Sequence, residues 1–343
     1  MPVVIEDLLR RHAEADEDAA ADLLEELEGI AGRDPSALTP HLAGLLERGV
    51  LEVPSIYVGA DDTVRARLID LIDAGIEADS GKGDAVVSHL SALGYAGGTL
   101  AEEAFRRWDS ARVTAYGYPA ARFALEGGWE LRAGKGIREV CAPVAYQLVV
   151  METDVEPVKP EVDQPRDGSV SGRLRGSTCP WCESSLWTVL DLDPSDPRAA
   201  AVLAPTGWTG RLEVATCYFC NCYGTVFWSI DSAGRSELSA AHTKRPEYLA
   251  EQVAAEPVTV NRLTIGEPRG AHSASAWYEG GSTLGGQPDW IQDWNYPACP
   301  ECGTTMHYVG QVVGADLAEY TEGAHYVFVH TPCRLAAVEY QQS

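Results

Sequence analysis

Basic residues are scarce in this sequence. Its 343 residues include 26 Lys and Arg against 51 Asp and Glu, which gives a formal net charge of −25. A nucleic-acid binder needs a basic face to contact phosphates, and a protein bound to an anionic membrane surface needs one as well. The charge therefore argues against both classes. It leaves a solvated protein, or one that binds a basic protein partner.

Long hydrophobic runs are also missing. The longest apolar stretch, Cys141–Met151, is half of the roughly 20 residues that a membrane helix needs. The first residues lack the basic and apolar segments of a signal peptide. We therefore expect a cytoplasmic protein, in which disulfides are rare and nine cysteines require another explanation.

Motifs of the common enzyme classes are absent as well. The chain has no GxSxG, HExxH or GxxxxGK[ST] pattern, and no GxGxxG at Rossmann spacing. Asp191, Asp193 and Asp196 could bind a cation, but their setting favours a strand that runs into a turn. We predict no catalytic residue from these patterns.

The character of the chain changes near residue 155. One cysteine and two tryptophans precede this point, and eight cysteines and seven tryptophans follow it. The stretch 154–165 contains three prolines and reads as an extended linker. We predict an α+β multidomain protein: an α-helical HEAT-like domain over 1–150, a linker over 151–170, and a β-rich zinc-binding domain over 171–343.

Apolar spacing predicts the helices of the first domain. Leu23, Leu24, Leu27 and Ile30 share one helix face. Thr39, Asp61 and Thr99 are predicted to cap helices, the last through a capping box. Short amphipathic helices suggest a HEAT-like antiparallel solenoid, and an irregular bundle is the alternative.

The second domain is predicted to consist of short strands. These segments are rich in β-branched and aromatic residues and are separated by Gly or Pro. They are Leu186–Asp193, Leu212–Phe219, Tyr223–Ile230, Val258–Ile265, Met306–Val313, His325–Val329 and Leu335–Tyr340.

Two cysteine constellations stand in this domain. The first is a pair of CxxC motifs, Cys179 with Cys182 and Cys217 with Cys220. The second is a CxxC followed by HxxC, formed by Cys299, Cys302, His330 and Cys333. A two-residue spacing lets one tight turn place two ligands on the same ion, and thiolates with imidazole suit zinc.

Each constellation supplies four ligands, which predicts two structural Zn²⁺ ions in zinc-ribbon-like sites rather than a catalytic ion with an open position. Two alternatives remain open. Cys222 could replace Cys220 in the first site, and His307 could compete with His330 in the second.

Between the constellations lies the run GGQPDWIQ over residues 285–292. Together with the following CxxC, Met306 and Gln311, it resembles the YwqG-like family of bacterial proteins. The C-terminal part is also similar to the programmed-cell-death-protein-2/Tsr4 family. The resemblance is good over about 280–343 and looser over 175–280, and it leaves out the N-terminal helices.

The resemblance implies a β-rich, zinc-bearing fold that binds proteins rather than catalysing a reaction. The eukaryotic family is associated with chaperoning a ribosomal protein, and some bacterial relatives lie near toxin genes. Candidate binding residues are Gly285, Gly286, Pro288, Trp290 and Gln292. Two interpretations of this run stay open: a buried structural turn, or a peptide groove lined by Trp290, Trp294 and Tyr296.

The leading hypothesis is a non-enzymatic protein-binding module, of the chaperone or adaptor type or the toxin-immunity type, whose partner is basic. The expected partners are a ribosomal protein or a toxin, and neither nucleic acid nor membrane. The alternatives are a metal-dependent enzyme with one open zinc site, and a nucleic-acid-associated zinc-ribbon protein.

Overall fold

The computed structural model describes residues 2–78, 84–134, 136–151, 168–242, 245, 247, 260–277, 279–318 and 321–343. The chain separates into two units, Met1–Val140 and Cys141–Ser343. Within the described residues, no helix combines the length and the apolar character that crossing a membrane requires.

The first unit is mainly helical, as predicted. Its helices are α1 (Pro2–Glu14), α2 (Glu17–Arg33), α3 (Thr39–Glu47), α4 (Asp62–Glu77), α5 (Asp84–Ala96) and α6 (Gly98–Ser110). Two small hairpins follow, β1 (Thr114–Ala115) with β2 (Tyr118–Pro119), and β3 (Trp129–Leu131) with β4 (Ile137–Glu139). Leu23, Leu24 and Leu27 of α2 are buried in one hydrophobic core. The HEAT-like repeat remains a prediction.

The predicted helix caps have mixed outcomes. The side chain of Asp61 accepts a hydrogen bond from the Val64 amide and caps α4, as predicted. The cap predicted at Thr39 is wrong, because Thr39 is already helical and its hydroxyl donates to the Gly59 carbonyl. The capping box at Thr99 is also wrong, since α6 begins one residue earlier, at Gly98.

The described part of the second unit is built mainly from strands, with two short α-helices. The strands are β5 (Ala142–Val150), β6 (Arg173–Thr178), β7 (Ser185–Leu192), β8 (Leu212–Thr216), β9 (Val226–Ile230), β10 (Ser236–Leu238), β11 (Leu263–Arg269), β12 (Thr283–Gly286), β13 (His307–Val313), β14 (Ala324–His330) and β15 (Leu335–Gln341). The helices are α7 (Pro197–Leu203) and α8 (Gly314–Leu317).

These strands form two antiparallel sheets. The larger has the order β10-β9-β15-β14-β13-β12-β5-β11, and the smaller has the order β6-β7-β8. Side chains from both sheets form one hydrophobic core, which includes Leu190 of β7 and Val327 of β14. Residues of β14 are buried throughout, so its central residues 326–329 form a continuous apolar run rather than an alternating pattern.

The unit boundary lies earlier in the chain than the predicted domain boundary at residue 150. Strand β5 pairs with β12 on one side and β11 on the other, so it is an interior strand of the larger sheet. The unit therefore begins at Cys141. The proline-rich part of the predicted linker, 154–165, lies outside the described residues. The predicted strand Val258–Ile265 is confirmed in part, because β11 contains its last three residues and runs on to Arg269. The first two residues of that prediction, 258 and 259, lie outside the described residues.

Candidate metal centres

The first CxxC forms the tip of the hairpin between β6 and β7. Thr178 pairs with Ser185 below the tip, and the Cys179 amide donates to the Ser184 carbonyl at 2.8 Å. Glu183 adopts a positive φ of 64°, which reverses the chain after the second cysteine. The Trp181 amide lies 3.4 Å from the Cys179 sulfur, so backbone N–H groups face the thiol.

The second CxxC follows β8 and opens a short 3-10 turn, Cys220–Tyr223. The Cys220 amide lies 3.5 Å from the Cys217 sulfur, and the Asn221 amide donates to the Cys217 carbonyl. The knuckle thus holds its two sulfurs on the same side of the turn.

The two knuckles bring four sulfurs together. All lie within 4.8 Å of one another, with Cys179 Sγ 3.8 Å from Cys220 Sγ and Cys182 Sγ 3.4 Å from Cys217 Sγ. Tetrahedral zinc with Zn–S bonds of about 2.3 Å places sulfurs about 3.8 Å apart. The spacing matches that geometry, and three of the four side chains are buried.

Four thiols packed this closely perturb one another. Hydrogen bonding with Cys217 and Cys220 lowers the pKa of Cys179, and hydrogen bonding with Cys179 and Cys217 raises the pKa of Cys220. A single thiolate is therefore stabilised by protonated neighbours, since further negative charge would be unscreened. A bound cation removes this restriction and allows all four sulfurs to be thiolates.

Cys222 stands apart from this group. Its thiol donates to the Tyr218 carbonyl at 3.0 Å, and burial raises its pKa. The structure places Cys220, not Cys222, with the other three cysteines. None of the nine cysteines, all of which lie in described segments, forms a disulfide.

The third CxxC repeats the backbone geometry of the first. Ala298 bridges Thr305, the Cys299 amide donates to the Thr304 carbonyl at 2.8 Å, and Gly303 has a φ of 74°. The turn immediately precedes β13. The first and third knuckles are therefore the same hairpin tip, with Glu183 and Gly303 in equivalent left-handed positions.

The HxxC motif forms the turn between β14 and β15. His330 is the last residue of β14 and pairs with Leu335, and Arg334 has a φ of 51°. His330 Nε2 lies 3.7 Å from Cys302 Sγ. Cys299, Cys302, His330 and Cys333 have their ligand atoms within 4.8 Å of one another, a group to which His307 does not belong.

Both groups could therefore hold a metal ion through four protein ligands. They differ in exposure. The first is almost enclosed, whereas in the second Cys302 is exposed and its Sγ lies 3.4 Å from Thr304 Oγ1. Hydrogen bonding by Thr304 is the main cause that lowers the pKa of Cys302.

The two glycines of the GGQPDW run lie in β12, close to the backbone of neighbouring segments. Gly285 and Gly286 have φ values of 75° and 69° and are buried. A Cβ on Gly285 would lie 2.3 Å from the Val144 carbonyl oxygen, and one on Gly286 would lie 2.5 Å from that of Ala271. Both positions therefore require glycine for conformation and for space.

Trp290 packs inward from the same run. Its ring stacks on Tyr326 at 4.6 Å between centroids and meets the edge of Tyr296 at 5.3 Å. The Tyr326 hydroxyl donates to the Asp289 carbonyl and accepts from the Ile291 amide. These contacts describe a structural turn, and Tyr296 is buried rather than lining a groove.

The remaining predicted binding residues are Pro288 and Gln292. Pro288 is buried, while Gln292 is exposed. The Gln292 amide donates to Gln341 Oε1, and its side chain donates to the Gln342 carbonyl. A direct binding role for the five residues stays a prediction.

Asp191, which the sequence offered as a candidate cation ligand, is paired with arginine side chains. Its buried carboxylate contacts the guanidinium groups of the buried Arg173 and the partly exposed Arg211. Asp196 caps α7 through the Arg198 amide. The strand-to-turn interpretation of this segment is therefore confirmed.

One exposed aromatic residue was missed. Trp277 lies in the loop between β11 and β12, with 55% of its surface exposed. The signal available in the sequence was a tryptophan at the end of the run HSASAW, which has no large apolar residue beside it.

No family model matches the chain, and no solved structure matches it. It is 30% identical over 278 residues to the "Uncharacterized protein YpfL" of Salmonella typhimurium, an alignment that covers 78% of this chain and 61% of that protein. The chain thus spans about three-fifths of the length of this curated relative.

Proposed function

We propose that the chain is a non-enzymatic protein-binding module whose β-rich unit is stabilised by two structural Zn²⁺ ions. The observation that carries the proposal is the pair of four-residue groups, each with its ligand atoms within 4.8 Å. Seven sulfurs and one imidazole are a donor set that favours zinc over the harder divalent cations.

The connections of the ligands support a structural role. An ion at the first group would tie the β6–β7 hairpin to the end of β8, and one at the second would tie the start of β13 to the β14–β15 hairpin. Each would join segments far apart in sequence and could contribute on the order of 10 kcal/mol to folding at neutral pH. Four protein ligands leave no position for a reacting water.

Charge and resemblance support protein binding. A net charge of −25 favours a basic partner by long-range attraction. The GGQPDW run and the knuckle that follows it suggest membership of the YwqG-like family, with similarity to the programmed-cell-death-protein-2/Tsr4 family. The partner is then a basic protein such as a ribosomal protein or a toxin, and the helical unit supplies a second acidic surface.

The experiment is capture from a lysate with the full, immobilised chain, at low and at high salt. The expected result is a stoichiometric protein of high isoelectric point that is released as salt rises. Chain stripped of metal with a chelator is the control, and it should lose the partner with its fold. The proposal fails if the metal-loaded chain retains no stoichiometric protein at either salt concentration.

A further inference from the structure

A pocket of about 180 Å³ opens beside the exposed Trp277. Its lining includes Ala276, Trp277, Ile291, Val313, Thr321 and Glu322. Small-molecule sites usually occupy roughly 300–1,000 Å³, so this pocket is too small for a cofactor. It is a suitable size for one long side chain of a partner.

Side chains of other segments form hydrogen bonds with the backbone of the loop that carries Trp277. Asp316 accepts from the amides of Gly280 and Ser282, and Gln311 donates to the carbonyl of Ser275. The carboxylate of Asp289 accepts from the Ala276 amide at 2.7 Å, one residue before the tryptophan.

Gln311 also joins this loop to the GGQPDW run, because its side-chain oxygen accepts from the Asp289 amide. The motif residues Asp289 and Gln311 thus fix the backbone on which Trp277 stands. A loop whose backbone is already fixed loses little conformational entropy when a partner docks, and large aromatic side chains are common anchors of interfaces.

An acidic residue and an aromatic residue line this pocket together. Glu322 is exposed and lines it with Trp277, and a carboxylate and an indole ring both attract cations. The basic residue tied to this loop, Arg269, donates to the carbonyls of Gly280 and Ser273 and is not among the described lining residues. Its charge is used to hold the loop.

We propose that this pocket binds a lysine or arginine side chain of a basic protein partner, with the cation on the Trp277 ring and against the Glu322 carboxylate. This inference rests on the proposed protein-binding function and adds the docking site and the chemistry of the residue recognised. The GGQPDW run then serves to fix the backbone of the loop that carries Trp277.

The test measures binding of fluorescent, end-capped peptides to the full, metal-loaded chain by anisotropy. The probes are a glycine-serine peptide with three arginines and matched peptides with citrulline or leucine at those positions. We expect the arginine peptide to bind at least about tenfold more tightly than either counterpart. Trp277→Ala and Glu322→Gln should each weaken its binding about 5- to 30-fold.

Two matched controls separate the pocket from general acidity. Tyr116→Ala removes another exposed aromatic ring, and Glu237→Gln removes another exposed carboxylate. Both should change binding by less than about twofold. Metal content and the thermal midpoint are measured for every variant. If Trp277→Ala is unfolded, Trp277→Leu and Glu322→Gln provide the comparison.

Three results would overturn the inference: no preference for arginine over leucine, unchanged binding in both pocket variants, or an equal loss in Glu237→Gln. Failure here is distinct from failure of the proposed function. In that case the lysate partner would still be captured, and Trp277→Ala would capture it as well as the natural chain.

Discussion

Cys220 and Cys222 are two residues apart, and only one of them lies with the other three sulfurs. Cys220 Sγ is 3.8 Å from Cys179 Sγ and its side chain is buried, whereas Cys222 donates its thiol to the Tyr218 carbonyl. Replacing each by serine is the same chemical change at neighbouring positions. The two variants therefore test which of them is a ligand.

The expected magnitudes differ clearly. If a structural zinc site contributes on the order of 10 kcal/mol through four ligands, removing one costs at least about 2.5 kcal/mol. A loss of that size lowers the melting temperature by roughly 5–10 °C in a domain of this size. Serine at position 222 can still donate to the Tyr218 carbonyl, so Cys222→Ser should cost no more than about 1 kcal/mol.

The assays are elemental analysis of the purified variants and differential scanning calorimetry. Cys220→Ser should carry one zinc fewer than the natural chain and melt earlier, while Cys222→Ser should keep both ions and its melting temperature. The assignment is refuted if Cys222→Ser loses the ion and Cys220→Ser retains it.

Three further perturbations test the β-rich unit. Gly285→Ala should lower the free energy of unfolding in urea by several kcal/mol more than Gly207→Ala does. Both glycines have a positive φ, but only a Cβ at position 285 would meet a carbonyl oxygen, at 2.3 Å. Equal losses of unfolding free energy would contradict this packing. Tyr326→Phe should cost about 1–3 kcal/mol, since it leaves the Asp289 carbonyl without its hydroxyl donor; an unchanged unfolding midpoint would count against that network. Burial lowers the pKa of His325 to about 3, so as the pH falls this histidine is protonated in the unfolded chain before it is protonated in the folded one. The stability it contributes is complete above about pH 6.5 and is lost as pH falls towards 3, by up to about 1.4 kcal/mol per pH unit. Unfolding free energies at several pH values should therefore fall less steeply in His325→Asn than in the natural chain, and parallel curves would exclude this effect.

The metal-ligand groups were readable from the sequence because the spacing of a knuckle is a local property. A CxxC turn places its two sulfurs together whatever the rest of the fold does. The pairing of His330 with the third knuckle needed one more step, and the HxxC spacing within a strand-rich segment supplied it. The spacing of the cysteines did not predict that Cys302 is exposed while Cys179 is buried.

Long-range pairing was the part that sequence patterns missed. Strand β5 precedes the proline-rich stretch, so composition assigned it to the helical domain, but its partners β12 and β11 lie more than 100 residues later. The ion pairs of Asp191 with Arg173 and Arg211 likewise join three segments. Such contacts depend on sheet order, which local periodicity does not encode.

The role of Trp290 shows the same limit. A tryptophan after two glycines fits both a groove and a buried turn, and the stacking on Tyr326 at 4.6 Å is a tertiary contact. The exposed tryptophan is instead Trp277, which lies in a loop whose backbone is hydrogen-bonded to side chains from other segments.

The most direct measurement is X-ray absorption at the zinc edge on the full chain, combined with elemental analysis. We expect two zinc ions per chain whose ligands, taken together, are the seven sulfurs and one imidazole of the two groups. A folded chain without metal, or a shell that contains water oxygen in place of one of these ligands, would contradict it.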